Sequence, residues 1–389
     1  MNRRTLLKLL GLSVPALSRA LAQPVRGRAK TLVTIFLRGG VDGLAMIQPT
    51  GDAALRSLRR SVLHEGPKLD AFFSLHPAMS SLKPLWDRKA LAVVHAVGQA
   101  HPSRSHFEAQ DFIESGAAGT KRSDGYLNRA LTTVPGTSAF RAVALQSTLP
   151  LSLSGEADAL AFPELAKFRV QGASGLGLSF EALYAGAVDE ALRTGGQSAF
   201  ESLNAVAGEA WATAPAQNGA VYPKGAFGQR LADLARLIRG DVGLRIGVTE
   251  LGGFDTHLAQ GGEKGQLANK LKELADGLAA FATDLGPKLE DVVVVTLTEF
   301  GRTAKENGTQ GTDHGTASAL FALGGGVRGG RVVADWPGLT GSQLYEGRDL
   351  AVTTDLRSVL WGAIEASGIE ARAADVFPDF TPRPVALWG

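Results

Sequence analysis

Short apolar runs, rich in β-branched residues, alternate along this chain with longer stretches of helical periodicity. Val292-Val293-Val294-Val295 is wholly apolar and reads as a strand buried on both faces of a parallel sheet. Runs at 31–37, 91–97 and 244–250 have the same character, and 141–146 reads as a further strand. Between them, 78–88, 105–115, 124–133, 179–212, 226–239, 266–285 and 354–365 read as helices. In 226–239 the apolar face is Phe227, Leu231, Leu234 and Ile238; in 266–285 it is Leu267, Leu271, Leu274, Leu278, Phe281 and Leu285. Strand–helix–strand alternation of this kind predicts an α/β fold built on a mostly parallel sheet. The stretch 150–240 is mainly helical and reads as an insertion or cap. Gly324–Gly330 contains the spacing GxGxxG, but Arg331-Val332-Val333 and Pro337 follow where a dinucleotide site needs a helix, so it reads as a turn between strands.

Composition changes this picture at the N-terminus. Arg3-Arg4 precedes a moderately apolar stretch to Leu17, and Ala20-Leu21-Ala22 fits a small-x-small cleavage site. Residues 1–22 therefore read as a twin-arginine export signal, which leaves 23–389 as a single domain destined for the periplasm or the exterior. The translocase that reads the signal is then a partner during export. The apolar stretch, interrupted by Lys8 and Pro15, is too short for a stable membrane span. Losing Arg3, Arg4, Lys8 and Arg19 turns the formal charge from +2 to −2, so nothing in the mature chain suggests a nucleic-acid partner. With no cysteine, disulfides and thiolate metal sites are excluded.

The candidate chemistry lies just past the strands, where ligands bind in open α/β sheets. After 31–37 comes Arg38-Gly39-Gly40-Val41-Asp42-Gly43; after 244–250, Gly252-Gly253-Phe254-Asp255-Thr256-His257; after the valine run, Glu299 and Arg302, then Asp313-His314. Carboxylate and imidazole together make a divalent-metal donor set. Asp255 and His257, two apart in an extended turn, can face one side. Ser105 with Glu108 forms a capping-box pattern for the helix at 105–115. Ser105 can serve as that cap or as a nucleophile at an anion-binding helix N-terminus, and His106 as a ligand or donor. His95 reads as a core histidine.

The blocks LRGGVDG (37–43), SHFEAQD (105–111), DGYLNR (124–129), GGFDTH (252–257), TEFGRT (298–303) and GTDHG (311–315) resemble the family called domain of unknown function 1501. That resemblance implies the alkaline phosphatase and sulfatase superfamily: a three-layer α/β sandwich, with helices on both faces of the sheet and one or two divalent ions (Zn, Ca, Mg or Mn) at its edge. Carried onto this chain, it implies Asp42, Asp313 and His314 around one ion and Asp255 and His257 at another. It further implies Ser105 as nucleophile with Ser103 as rival, and Arg104 as an anion contact. The chain departs from the superfamily in having no histidine beyond His314, a tight D-x-H pair and no Cys/Ser-x-Pro-x-Arg motif around Ser105; Glu299 stands where it could replace the missing ligand. The function implied is metal-dependent hydrolysis of phosphate or sulfate esters, on a small molecule or a polysaccharide. The rival is a secreted binding or scaffold protein that keeps the fold without the catalysis.

Overall fold

A computed structural model describes residues 30–101, 103–136, 138–167 and 210–389. The export signal at 1–22 and the proposed helix at 179–212 up to residue 209 lie outside the described residues. Eleven strands are described: β1 Thr31–Arg38, β2 Ile47–Gln48, β3 Ser74–Leu75, β4 Leu91–Gly98, β5 Ala142–Ala144, β6 Leu160–Ala161, β7 Ile246–Gly252, β8 Val292–Leu297, β9 Ser318–Gly324, β10 Val332–Val333 and β11 Thr354–Asp355. β2 and β3 form a small ribbon; the others make one sheet in the order β10-β4-β9-β8-β1-β7-β5-β6, with β11 beside β4. Only β9 runs antiparallel, to β4 and β8.

Strand alternation splits the core in two. Val33, Ile35 and Leu37 of β1 and Val292 and Val294 of β8 face one cluster. Leu32, Phe36, Val293 and Val295 face the other. Successive residues of a strand point to opposite faces, so a run apolar at every position must be covered twice. On the first face lie helices Ala226–Arg239 and Gln266–Leu285, with Met79, Leu82, Leu85 and Trp86. On the second lie α1 (His106–Ser115), the helix Tyr126–Leu131 and the helix Leu356–Ala366. The three-layer α/β sandwich with a mostly parallel sheet is therefore present. At the ends of the stretch 150–240, β6 joins the sheet and Ala226–Arg239 packs on it; both belong to the main body, and 168–209 lies outside the described residues. No helix among the described residues is long and apolar enough to cross a membrane.

The topology decides where chemistry can gather. β1, β7 and β8 run parallel, and two antiparallel steps through β9 bring β4 into the same direction. The carboxyl ends of all four strands and the amino end of β9 thus meet at one edge of the sheet.

His95 is fully buried on β4, stacked on Phe73 and edge-on to Trp336. Burial pushes its pKa down to about 4, and burial together with the adjacent His76 does the same to His64. Both stay neutral in the folded chain where the unfolded chain, with an ordinary histidine pKa near 6.5, takes up protons. Their contribution is complete above pH ~6.5 and is lost as pH falls towards ~4, by up to about 3 kcal/mol each. Urea unfolding at pH 7 and pH 4.5 should show that loss, and His95→Leu should remove about half of it. An equal pH dependence in the variant would rule out His95 as its source.

Candidate metal centre

Four turns build the site. After β1, Gly39 takes φ +115, and a Cβ there would lie 2.7 Å from the Asp255 backbone nitrogen. This glycine lets the turns after β1 and β7 touch. The turn after β7 presents Asp255 and His257, the segment after β4 leads into α1 with His106 as its first residue, and His314 precedes β9.

Arg302 ties these turns together. Its side chain is fully buried and donates to the carbonyls of Gly39, Gly40, Phe254 and Thr312 and to the carboxylate of Asp255. Burial works against the charge of Asp255, but Arg302, His314 and His257 outweigh it and hold the carboxyl below its ordinary range.

His106, Asp255 and His314 place one donor atom each within 4.8 Å of one another, an arrangement that could hold a metal ion. His106 Nδ1 donates to Glu299 at 2.8 Å, leaving Nε2 to face Asp255 Oδ2 at 3.5 Å, buried and without a hydrogen-bond partner. The bond to Glu299 raises the His106 pKa; burial lowers that of His314. His314 Nδ1 donates to the Arg104 carbonyl at 2.8 Å. His257 Nδ1 lies 3.2 Å from Asp313 Oδ1. With Nδ1 donating on both rings, each Nε2 presents its lone pair, and the two face each other at 2.9 Å, with Asp255 Oδ1 within 3.2 Å of both and Arg302 Nη1 3.4 Å from that of His257. Lone pairs so opposed repel unless a proton joins them or a metal ion lies to the side and binds both. Nδ1 bonded to a carbonyl or carboxylate and Nε2 free is the arrangement by which metal-binding histidines are oriented.

The structure redistributes the expected ligands. Asp42 does not join Asp313 and His314: it is fully buried, its Oδ2 paired with Arg59 Nη1 at 2.7 Å and accepting from Gln260 at 2.7 Å. Despite burial, Arg59 and Gln260 hold its pKa below the ordinary range. Glu299 lies outside the group too. Its Oε1 accepts from Gly39 N, His106 Nδ1 and Gln110, and its Oε2 from Thr298, so four donors already hold the carboxylate. Among the described residues the group that could hold a metal is His106, Asp255 and His314, which draws on both expected centres, and His257 and Asp313 lie beside it.

Arg104 turns its guanidinium to Asp349 and Glu346, and only its carbonyl touches the site. The capping box is displaced: Glu108 accepts from Ser103 Oγ at 2.6 Å, Ser103 Oγ accepts from Ser105 N, and Ser105 caps α1 without a side-chain bond. Sequence reasoning placed Arg302 but gave it no role, and missed Gln110, which bridges Glu299 to Arg38. The only trace was their presence in the TEFGRT and SHFEAQD blocks.

Comparison with known proteins adds the following. The family described as "Protein of unknown function (DUF1501)" matches residues 29–365. No curated protein matches the sequence. Among solved structures, the C-terminal periplasmic domain of EcEptC from Escherichia coli, in complex with Zn, is similar at 9% identity and TM-score 0.38, covering 92% of this chain and 89% of that one. The lipoteichoic acid synthase LtaP from Listeria monocytogenes is similar at 9% identity and TM-score 0.34, covering 79% and 68% respectively.

Proposed function

Since the chain belongs to the DUF1501 family, whose description assigns no activity, we propose its function from the site: an exported, metal-dependent hydrolase of phosphate or sulfate esters. The observation that carries this reading is the gathering of the Nε2 atoms of His257 and His314, opposed at 2.9 Å, beside Asp255 and the unpartnered Nε2 of His106. A donor set rich in imidazole with a carboxylate suits zinc better than calcium or magnesium, which favour oxygen ligands. His106, Asp255 and His314 would hold the ion, with His257 beside them. A zinc ion there would supply Lewis acidity towards an ester oxygen and a lowered pKa for a bound nucleophile.

The remaining work falls to the chain's own groups. The Ser105 hydroxyl is exposed and makes no cap bond, between Arg104, whose carbonyl orients His314, and His106 itself. It is the hydroxyl best placed to attack; Ser103 is buried and engaged by Glu108. The free N–H groups of α1 offer an anion its positive end. Glu299, itself held by Gln110, keeps the His106 ring in place. Residues 1–22 would direct export through the twin-arginine translocase. One observation favours the scaffold reading: Arg302, paired with Asp255, also brings Nη1 to 3.4 Å from His257 Nε2, a resident cation at the site.

Elemental analysis of protein purified without chelator decides between them. About one equivalent of zinc, with hydrolysis of phosphate or sulfate esters abolished by chelator and cut at least about a hundredfold by Ser105→Ala, is expected for the hydrolase. Protein free of divalent metal and inert towards both ester classes would establish the scaffold instead.

A further inference from the structure

Five large hydrophobic side chains are exposed among the described residues, and two of them directly follow histidines of the site in the chain. Phe107 is 86% exposed and directly follows His106; Leu258 is 62% exposed and directly follows His257. Their Cα atoms are therefore about 3.8 Å from those of the two histidines. The His106 ring packs on His314 at 4.4 Å and His314 on His257 at 4.7 Å, so Phe107 and Leu258 follow in the chain the two end members of a continuous row of imidazoles.

Scattered exposed apolar residues need no explanation, but a set gathered on a polar centre does. Packing does not account for Phe107. The buried face of α1 is Ala109, Phe112 and Ile113 with the polar pair Glu114 and Ser115, and Phe107 projects away from it. A site with a cation-demanding floor, a helix N-terminus for an anion and an apolar rim matches a ligand with an anionic head and a hydrocarbon body.

We infer that the rim formed by Phe107 and Leu258 binds the alkyl chain of the ester substrate, so that the substrate class is alkyl phosphate or alkyl sulfate esters rather than small polar ones. The inference rests on the hydrolase reading of the same site. The rim packs against the chain of the alcohol that leaves, while the phosphoryl or sulfuryl head lies at the histidines and the N-terminus of α1.

The test is titration calorimetry of the zinc-loaded full chain with methyl-, butyl- and octylphosphonate and with the matching alkylsulfonates, none of which can be hydrolysed. Affinity should rise about two- to fourfold per added methylene. That slope should vanish in the double variant Phe107→Ser, Leu258→Ser while its zinc content stays at the native level. Methylphosphonate binding with a flat series would overturn the rim and leave the hydrolase reading intact; no binding by any member would overturn both. A slope unchanged in the double variant would remove Phe107 and Leu258 from the assignment. Two other results would give the rim a different occupant: binding to phosphatidylcholine vesicles lost on the double substitution, or a concentration-dependent dimer lost in the same way.

Discussion

Replacing His314 with alanine is expected to weaken zinc binding by at least on the order of a hundredfold, and Asp42→Asn is expected to leave it unchanged. The contrast follows from where the two side chains ended up. His314 has Nδ1 fixed by the Arg104 carbonyl and Nε2 aimed between His257 and Asp255. Its removal deletes a donor without stranding a buried charge. Asp42, by contrast, neutralises Arg59, whose side chain is 1% exposed and also donates to the carbonyls of Thr303 and Ala304. Its loss should lower stability by about 3–5 kcal/mol, the cost of leaving one member of a buried ion pair alone. Competition titration with a chelating dye, alongside urea unfolding of the metal-free proteins, separates the two effects. Parallel loss of zinc in both variants would return Asp42 to the ligand set.

The second large effect is that of Arg302→Met, expected to destabilise the metal-free protein by about 3–5 kcal/mol and to loosen zinc binding with it. Four backbone carbonyls from three turns accept from this guanidinium, and Asp255 pairs with it. A thioether of similar length fills the space but leaves those acceptors and a carboxylate without partners. Urea unfolding followed by tryptophan fluorescence measures the loss. A change under about 1 kcal/mol would mean that water replaces the guanidinium and that the turns hold without it.

Glu299 illustrates how a residue can be placed at the right edge from sequence while its partner there stays hidden. Its position after β8 put it among the donors, and the structure sets it one step back, under the Nδ1 of His106. Nothing in a linear pattern separates a carboxylate that faces a cation from one that faces the ring behind it. The difference is a matter of which lone pairs the neighbours have already taken.

The sequence by itself determined the layers and the edge. Runs apolar at every position require a sheet covered on both faces, and polar residues crowded after 31–37, 244–250 and the valine run mark its carboxyl end, because burial and period are local properties of the chain. Only the tertiary structure decided the partners. Asp42 meets Arg59 seventeen residues on, Arg302 reaches back to Gly39 and Gly40, and His106 meets Asp255 and His314 across turns more than a hundred residues away. Those pairings depend on sheet order and on the antiparallel insertion of β9, which brings the start of one strand to the ends of four others. Strand order is fixed by packing between distant segments, and no spacing along the chain encodes it.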